Sequence, residues 1–443
     1  MEPQDTFYIE TYGCEMNKSD SIDIALSLEA SGYRRTQDEK EASVIILNTC
    51  CVRQHAEERI FGRLGYYRSL KKRISEEPII VLAGCMAQLL GREFTELFPE
   101  VNIIAGTYHA LEIPRYLKEH ERSGQKQVFI DKGGYEFSPY RAMKAERHSA
   151  WVNIIKGCSN FCSYCVVPFV RGPELSKPSD DVIDEAKLLA EQGVVEITLL
   201  GQNVNTYGRD NGDISFAALL EKLDKVGGIR WIRFLTSHPK DFDENTIKSI
   251  AACEKVCPEF YLPIQSGSDR ILALMNRGYT LAHYMKTVSL LYKHIGDFSI
   301  ISDIIVGFPS ETESDFRATL QAVRSVRFDD AFTYRYSPRP HIKAEELPGK
   351  VGPAIAKQRL ERLIALRREV SLQKNRAEIG MKRQVLIERV SKKNPDEMLA
   401  KTKKGKPVVV KCDRLPGSFV YVRIDEISGS TLRAREAREE CRV

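Results

Sequence analysis

The chain has 443 residues, 42% of them hydrophobic, and a formal net charge of +5. That length exceeds one ordinary domain, and the apolar content is enough for packed cores, which excludes a disordered chain. No run reaches ~18 uninterrupted apolar residues and the start, MEPQDTFYIETYGC, has no basic lead or apolar signal core, so neither a membrane span nor export is expected. The expected location is cytoplasmic, where eleven cysteines argue for metal or redox chemistry rather than a disulfide framework.

In chain order, TFYIETYG, SVIILNTC, PIIVLAGC and NIIAGT read as buried parallel strands. SDSIDIALSLEASG and HAEERIFGRLGYYRSLKKR between them carry helical periodicity, which predicts an open parallel α/β sheet. Cys14, Cys50 and Cys85 each close a predicted strand, at the end where open α/β sheets bind ligands. The alternative is three small buried residues, because free cysteine packs like a hydrophobe. Cys51 follows Cys50 directly, and strand alternation predicts that only one of the two faces any common site. Cys50 is taken as that one and Cys51 as packing.

A polar connector, 120–148, precedes six further strand-like runs: WVNIIKG, VVEITLLG, IRWIRFLT, EFYLPIQ, FSIISDIIVG and DAFTYRYS. Helical stretches separate them, which predicts a partial (β/α)6 barrel with its working residues at the carboxyl strand ends. GCSNFCSYC, residues 157–165, is the loop after the first of these strands. Cys158, Cys162 and Cys165 suit three irons of a 4Fe–4S cube with the fourth left open to a substrate. Zinc is the competing metal, with His148 the nearest upstream histidine to complete it.

An Arg/Lys-rich helix over 354–376 leads to VLIERV, PVVVKC, FVYVRIDEI and TLRARE, read as a small antiparallel β-barrel of the OB type. Residues 378–443 hold sixteen Lys/Arg against ten Asp/Glu, so the excess positive charge lies here. Lys392, Lys393, Lys401, Lys403, Lys404 and Lys406 crowd the loops and suit a polyanion.

The loop GCSNFCSYC resembles the signature of radical S-adenosylmethionine (SAM) enzymes, in which the open iron binds SAM. YGCEMN, NTCCVR and AGCMAQ resemble the N-terminal domain of methylthiotransferases, and the terminal barrel resembles their TRAM domain. GCEMN, LLGQNVNTYG and FLTSHPKDF are most similar to MiaB-type tRNA methylthiotransferases. The resemblance covers essentially the whole chain. It implies a methylthiotransferase N-terminal domain over 4–122, a radical SAM core over 144–375 and a TRAM domain over 377–440. It also implies two 4Fe–4S clusters, an auxiliary one on Cys14, Cys50 and Cys85 and the SAM-binding one on Cys158, Cys162 and Cys165, with no catalytic residue beyond these ligands. SAM would be both methyl donor and radical source, contacted by Gly201, Gln202, Asn203, Ser237, Gln265, Ser266 and Gly307.

The implied reaction is methylthiolation at carbon 2 of the isopentenylated adenosine adjacent 3′ to the anticodon. The implied partners are a tRNA anticodon stem-loop, an electron donor and a sulfur source, with the chain a monomer. RNA contacts are expected from Arg171, Glu174, Ser176, Arg335, Arg339, Lys403 and Lys404, and base stacking from Tyr164, Phe169, Tyr207 and Tyr334. RGPELSKP and RPHIKAEE depart from the family pattern at Pro173, Leu175 and residues 340–342. Cys253, Cys257, Cys412 and Cys441 lie outside every motif and read as structural. Alternatives are methylthiolation of threonylcarbamoyl-adenosine or of a ribosomal protein aspartate, and a non-catalytic iron–sulfur or zinc RNA-binding protein.

Overall fold

The computed structural model describes residues 5–51, 54–71, 77–139, 148–339 and 342–437. Residues 4, 144, 340, 341, 440 and Cys441, on which some of these expectations fall, lie outside that set. The chain forms two compact units: residues 1–144, 155–161 and 165–177, and residues 145–154, 162–164 and 178–443.

The first unit is built on a six-stranded parallel sheet of β1 (Thr6–Tyr12), β2 (Arg34–Arg35), β3 (Val44–Thr49), β4 (Ile79–Gly84), β5 (Ile103–Ala105) and β6 (Gln127–Phe129), in the order β2-β1-β3-β4-β5-β6. All six β3 residues are buried, as its unbroken apolar run requires of a central strand covered on both faces. Phe7, Ile46, Val81 and Ile103 pack against Ile24 and Leu28 of helix α1 (Glu15–Ala30) and Leu117. Helices α2 (Gln54–Lys71) and α3 (Cys85–Leu90) follow β3 and β4. The edge strand β6 comes from the segment expected to be only a polar connector.

The second unit contains six parallel strands in sequence order: β7 (Ser149–Asn153), β10 (Glu196–Leu200) and β11 (Trp231–Phe234) in one sheet, and β12 (Glu259–Tyr261), β13 (Ser299–Val306) and β14 (Asp330–Arg335) in another. A bridge between Ile232 and Val256 links the two halves into the expected arc. Between β7 and β10, two-residue strands β8 (Ile155–Lys156) and β9 (Leu175–Ser176) pair antiparallel within the first unit.

The terminal segment closes a five-stranded barrel of β15 (Lys382–Val390), β16 (Met398–Thr402), β17 (Pro407–Lys411), β18 (Phe419–Ser428) and β19 (Thr431–Glu436), in the order β15-β16-β17-β19-β18. It is not wholly antiparallel, because β17 and β19 run parallel from Val408↔Leu432 to Lys411↔Arg435. This barrel belongs to the same compact unit as the arc.

The reason lies in the β16–β17 loop, which docks on the amino ends of the arc strands. Buried Arg233 donates to Glu196 at 2.7 Å, to Glu259, and to the carbonyls of Thr402 at 2.9 Å and Lys403 at 3.1 Å. Lys401 pairs with Glu196 at 2.6 Å, Lys404 with Glu378 at 2.5 Å and Asp297 at 2.6 Å, and Lys406 with Asp329 at 2.7 Å. Ser299 donates to the Lys404 carbonyl at 2.6 Å, and Phe419 of the barrel meets Trp231 edge-on. Lys404 is therefore no RNA contact: its ammonium is buried between two carboxylates. The Lys403 ammonium is likewise turned to the Glu254 carbonyl.

Glu196 is 1% exposed, and removing one partner of a buried pair costs about 3–5 kcal/mol. Arg233→Met should lower the stability of the second unit by roughly that amount, read as a depressed Tm. A melting curve matching the parent would show that this loop does not hold the barrel.

Candidate functional site

In the first unit, three strand ends converge because the chain there is stripped to glycine. A Cβ on Gly13 would lie 2.7 Å from Cys50 Cβ. Gly84, at φ +92°, would place one 2.6 Å from the Thr49 carbonyl oxygen, a conformation and an approach only glycine tolerates. Buried asparagines fasten the junction: Asn17 donates to the Thr49 carbonyl at 3.0 Å, and Asn48 donates to the Asn17 carbonyl at 2.8 Å and to Ser21 at 2.9 Å. Cys14 caps α1 and Cys85 opens α3, so both thiols sit at helix amino ends, where partial positive charge favours thiolate.

Four thiols meet here, not three. Cys14 Sγ donates to Asn17 Oδ1 at 3.3 Å with the Cys50 thiol beside it, and the Cys51 thiol lies beside Cys85. The expectation that Cys51 packs away from the group fails because β3 ends at Thr49, so both cysteines lie beyond the strand and its alternation no longer applies. Arg171 lies against the group, 2% exposed, with Nε donating to Cys85 Sγ at 3.3 Å and Nη2 to Asp20 at 2.5 Å. Its Nη1 is buried with no partner. The Cys50 contact, aided by Arg171, draws the Cys14 thiol down to about 6 against the opposing effect of burial, and Cys85 is lowered through Cys51 and Arg171. A buried cation with a donor to spare beside four thiols fits an anionic, thiolate-bound iron–sulfur group. Arg171, expected as an RNA contact, is instead buried against these thiols and Asp20.

The first unit also carries the start of the three-cysteine loop. Cys158 N–H donates to the Gly172 carbonyl at 3.0 Å, and Asn160 Nδ2 lies 3.5 Å from Cys158 Sγ. Glu174 N–H donates to Ser159 at 3.3 Å, and buried Ser176 pairs with Ile155 in the β8–β9 ribbon. The Glu174 backbone and Ser176 therefore brace the loop. Phe161, exposed at φ +46°, meets exposed Phe169 edge-on at 6.2 Å. Cys165 is in this unit, whereas Cys162 belongs to the other.

In the second unit, Cys162 has its own buried arginine. Arg277 donates from Nη1 to Cys162 Sγ at 3.4 Å, from Nη2 to the Pro263 carbonyl at 2.9 Å and from Nε to Tyr279 at 3.3 Å. Sequence reasoning missed it, since an arginine in an unremarkable NRG stretch gives no local signal.

At the carboxyl ends of β10, β11 and the strand after them, buried polar atoms lack partners: Gln202 Oε1, both Asn205 side-chain atoms, Ser237 Oγ, His238 Nε2 and Gln265 Oε1. A buried polar atom left unpaired costs about 1–3 kcal/mol, so such a group is the imprint of a polar ligand. Thr236 and Gln265 also stand at φ +67° and +65°, strain of the kind stored at ligand sites. These atoms fit a zwitterionic nucleoside such as SAM. Gly201 is buried directly after β10.

Other expected contacts have structural partners. Asn203 donates to Asp241 at 2.8 Å and accepts from His238 N–H at 3.1 Å. Ser266 accepts from Ser268 N–H at 3.2 Å and lies 3.3 Å from the Thr319 hydroxyl. Gly307, at φ +72°, donates its N–H to Glu311 at 2.7 Å. Arg335 and Tyr334 are exposed at the end of β14, Arg339 is buried, and Tyr164 packs beside Arg277. Tyr207 is fully buried and cannot stack on a base.

Among the described residues no three His, Cys, Asp or Glu side chains close on a single metal ion; cube thiolates, by contrast, bind separate irons. No described helix is long and apolar enough to cross a membrane.

Three family models match in order: "Uncharacterized protein family UPF0004" over residues 6–106, "Radical SAM superfamily" over 152–323 and "TRAM domain" over 376–435. The chain is 44% identical over 424 residues to a tRNA-2-methylthio-N(6)-dimethylallyladenosine synthase of Moorella thermoacetica, covering 95% of each. It is 45% identical over 430 residues to the Caldicellulosiruptor saccharolyticus protein of that name, covering 96% of this chain and 90% of the other. In fold it is similar to the radical S-adenosylmethionine methyltransferase TsrM of Kitasatospora setae, with a TM-score of 0.55 at 13% identity, covering 77% and 74% of the two chains.

Burial, helped by the charges of Arg277 and Lys240, pushes the His238 imidazole down to about 2. An unfolded histidine titrates near ~6.5, so as pH falls below that value only the unfolded chain takes up the proton. Stability should fall by about 1.4 kcal/mol per pH unit from this group alone, while above pH ~7 it contributes nothing. Tm measured from pH 7.5 to 5 at equal iron loading should fall less steeply in His238→Gln. Parallel curves would mean that the imidazole is not held neutral.

Proposed function

As a member of the tRNA-2-methylthio-N(6)-dimethylallyladenosine synthase family, this chain is a radical SAM methylthiotransferase, and we propose a role in that chemistry for each of its two cysteine groups. The chain works with a 4Fe–4S cluster and SAM; in our reading a second 4Fe–4S cluster occupies the Cys14–Cys50–Cys85 group. Bound together, these cofactors supply a carbon radical, a methyl group and a sulfur, which amino-acid side chains cannot.

The protein's own contribution is to position and to dry. Arg171 draws the buried Cys85 thiol toward its thiolate and Arg277 donates to Cys162 Sγ, contacts that favour a metal-bound sulfur. Gln202, Asn205, Ser237 and Gln265 give SAM polar partners at the carboxyl strand ends, with His238 a neutral donor at Nε2 because its Nδ1 accepts from Lys240 N–H. Phe161 and Phe169 offer exposed rings on which a splayed loop base can stack. Arg389, Lys392, Lys393 and Lys411 are exposed on the barrel and are its share of the RNA grip. The observation that carries this reading is the pairing of each cysteine group with a buried arginine. The domain divisions 4–122, 144–375 and 377–440, a monomeric state and a cytoplasmic location belong to the same proposal.

Mass spectrometry of nucleosides tests it, using reconstituted protein with about eight irons, SAM, a reductant and an isopentenylated anticodon stem-loop. A methylthio adduct on that adenosine should form, and should vanish with Cys14→Ala or Cys158→Ala. SAM cleavage without RNA modification would redirect the search to threonylcarbamoyl-adenosine or a ribosomal protein.

Lys392→Gln with Lys393→Gln should weaken stem-loop binding and flatten its salt dependence, the log–log slope falling by about 0.7 for each phosphate no longer neutralised. Unchanged binding would place the grip elsewhere.

A further inference from the structure

Arg277 is 5% exposed, yet among the described residues no carboxylate pairs with it. Its Nε donates to Tyr279 at 3.3 Å and its Nη2 to the Pro263 carbonyl at 2.9 Å. Its Nη1 donates to Cys162 Sγ and to the Tyr164 hydroxyl, each at 3.4 Å. Arg171 differs, because Asp20 offsets its charge. A buried cation needs an anion to repay its lost hydration, and Cys162 Sγ is the acceptor in reach that metal binding makes anionic.

The surroundings fix the guanidinium against that sulfur. Arg277 lies in the turn after the helix Asp269–Leu274, between Asn276 at φ +54° and Gly278 at φ +68°. Ser163 clamps this turn to residues 162–164, its N–H donating to the Met275 carbonyl at 3.0 Å and its Oγ to the Leu274 carbonyl at 2.8 Å. The Tyr279 ring lies 5.3 Å from Arg277 Cζ, and its hydroxyl donates to the Ile264 carbonyl at 2.7 Å.

We infer that Arg277 is a positioning residue for electron delivery: its buried charge and its hydrogen bond to Cys162 raise the reduction potential of the SAM-binding cluster. A cube held by thiolates becomes more negative on taking an electron, so a fixed cation and donor stabilise its reduced form. The step adds one electron from an external low-potential donor. No bond forms or breaks, and the guanidinium keeps its protons. The inference rests on the reading that Cys158, Cys162 and Cys165 hold a 4Fe–4S cluster.

The test uses the full-length chain carrying Cys14→Ala, Cys50→Ala and Cys85→Ala, so that only this cluster loads, at about four irons. Its midpoint potential is read by redox titration followed by electron paramagnetic resonance. Arg277→Met should lower the equilibrium constant for one-electron reduction about tenfold, a drop of about 59 mV. Arg277→Lys, which keeps the charge but not the planar fork, should lower it less. Ser163→Ala loosens the same turn without touching Cys162 Sγ and should leave the potential unchanged. An unchanged potential in Arg277→Met, or an equal drop in Arg277→Lys or Ser163→Ala, overturns the inference. If Arg277→Met loses its iron, Arg277→Lys decides: a lowered potential supports the inference, and the parent value or loss of iron here too overturns it. An iron-free background, or a resonance that SAM leaves unmoved, overturns instead the cluster reading beneath it.

Discussion

A guanidinium sealed from water needs anions or carbonyls on every face, and this chain places one such group beside each of two cysteine clusters. Arg171 holds Asp20 and Cys85, and Arg277 holds the Pro263 carbonyl, Tyr279 and Cys162. Burying an unpaired cation would cost several kcal/mol (roughly, after relaxation). At Arg171 the favourable state is therefore the one in which Cys14 and Cys85, whose thiols it draws down, are ionised and ready to bind metal. Each arginine also ties sequence-distant segments together, Arg171 bridging to the starts of α1 and α3, and Arg277 linking the cysteine loop to the end of the β12 segment.

The scaffold around these pairs trades regularity for convergence. In the first unit a fully buried parallel sheet fixes the strand ends, and glycine and asparagine do what larger residues would obstruct. In the second, the arc delivers several side chains to one rim and leaves them without partners. Thr236, a β-branched residue at positive φ, is an outlier that only the surrounding packing sustains. Strain and unmet hydrogen bonds coincide at this rim, as expected of a surface shaped for a ligand rather than for its own stability.

Much of this was legible in the residues. Central strands such as VIILNT are apolar throughout because both faces are covered, and the three-cysteine spacing stands out in any context. What was not legible depended on distant partners. MLAKT, which forms β16, carries little β signal, since of its inward residues Met398, Ala400 and Thr402 only the threonine is β-branched. The lysines from 401 to 406 look like an RNA surface until Glu196, Glu378, Asp297 and Asp329 are found against them. The position of Cys51 beside Cys85 was not legible because strand alternation was carried past Thr49, where β3 ends. Arg277 gives no sign in sequence of the thiol it meets.

The lysine-rich loop beneath the arc bears on how such proteins diversify. A barrel so attached is not an interchangeable cassette: a chain ending at Arg376 would bare Trp231 and strip Arg233 of its two barrel carbonyls. Grafting a different barrel would require matching substitutions at Glu196, Arg233, Glu259 and Asp297. The recognition module and the reaction scaffold are therefore constrained to evolve together, residue against residue, across a seam far from the carboxyl strand ends.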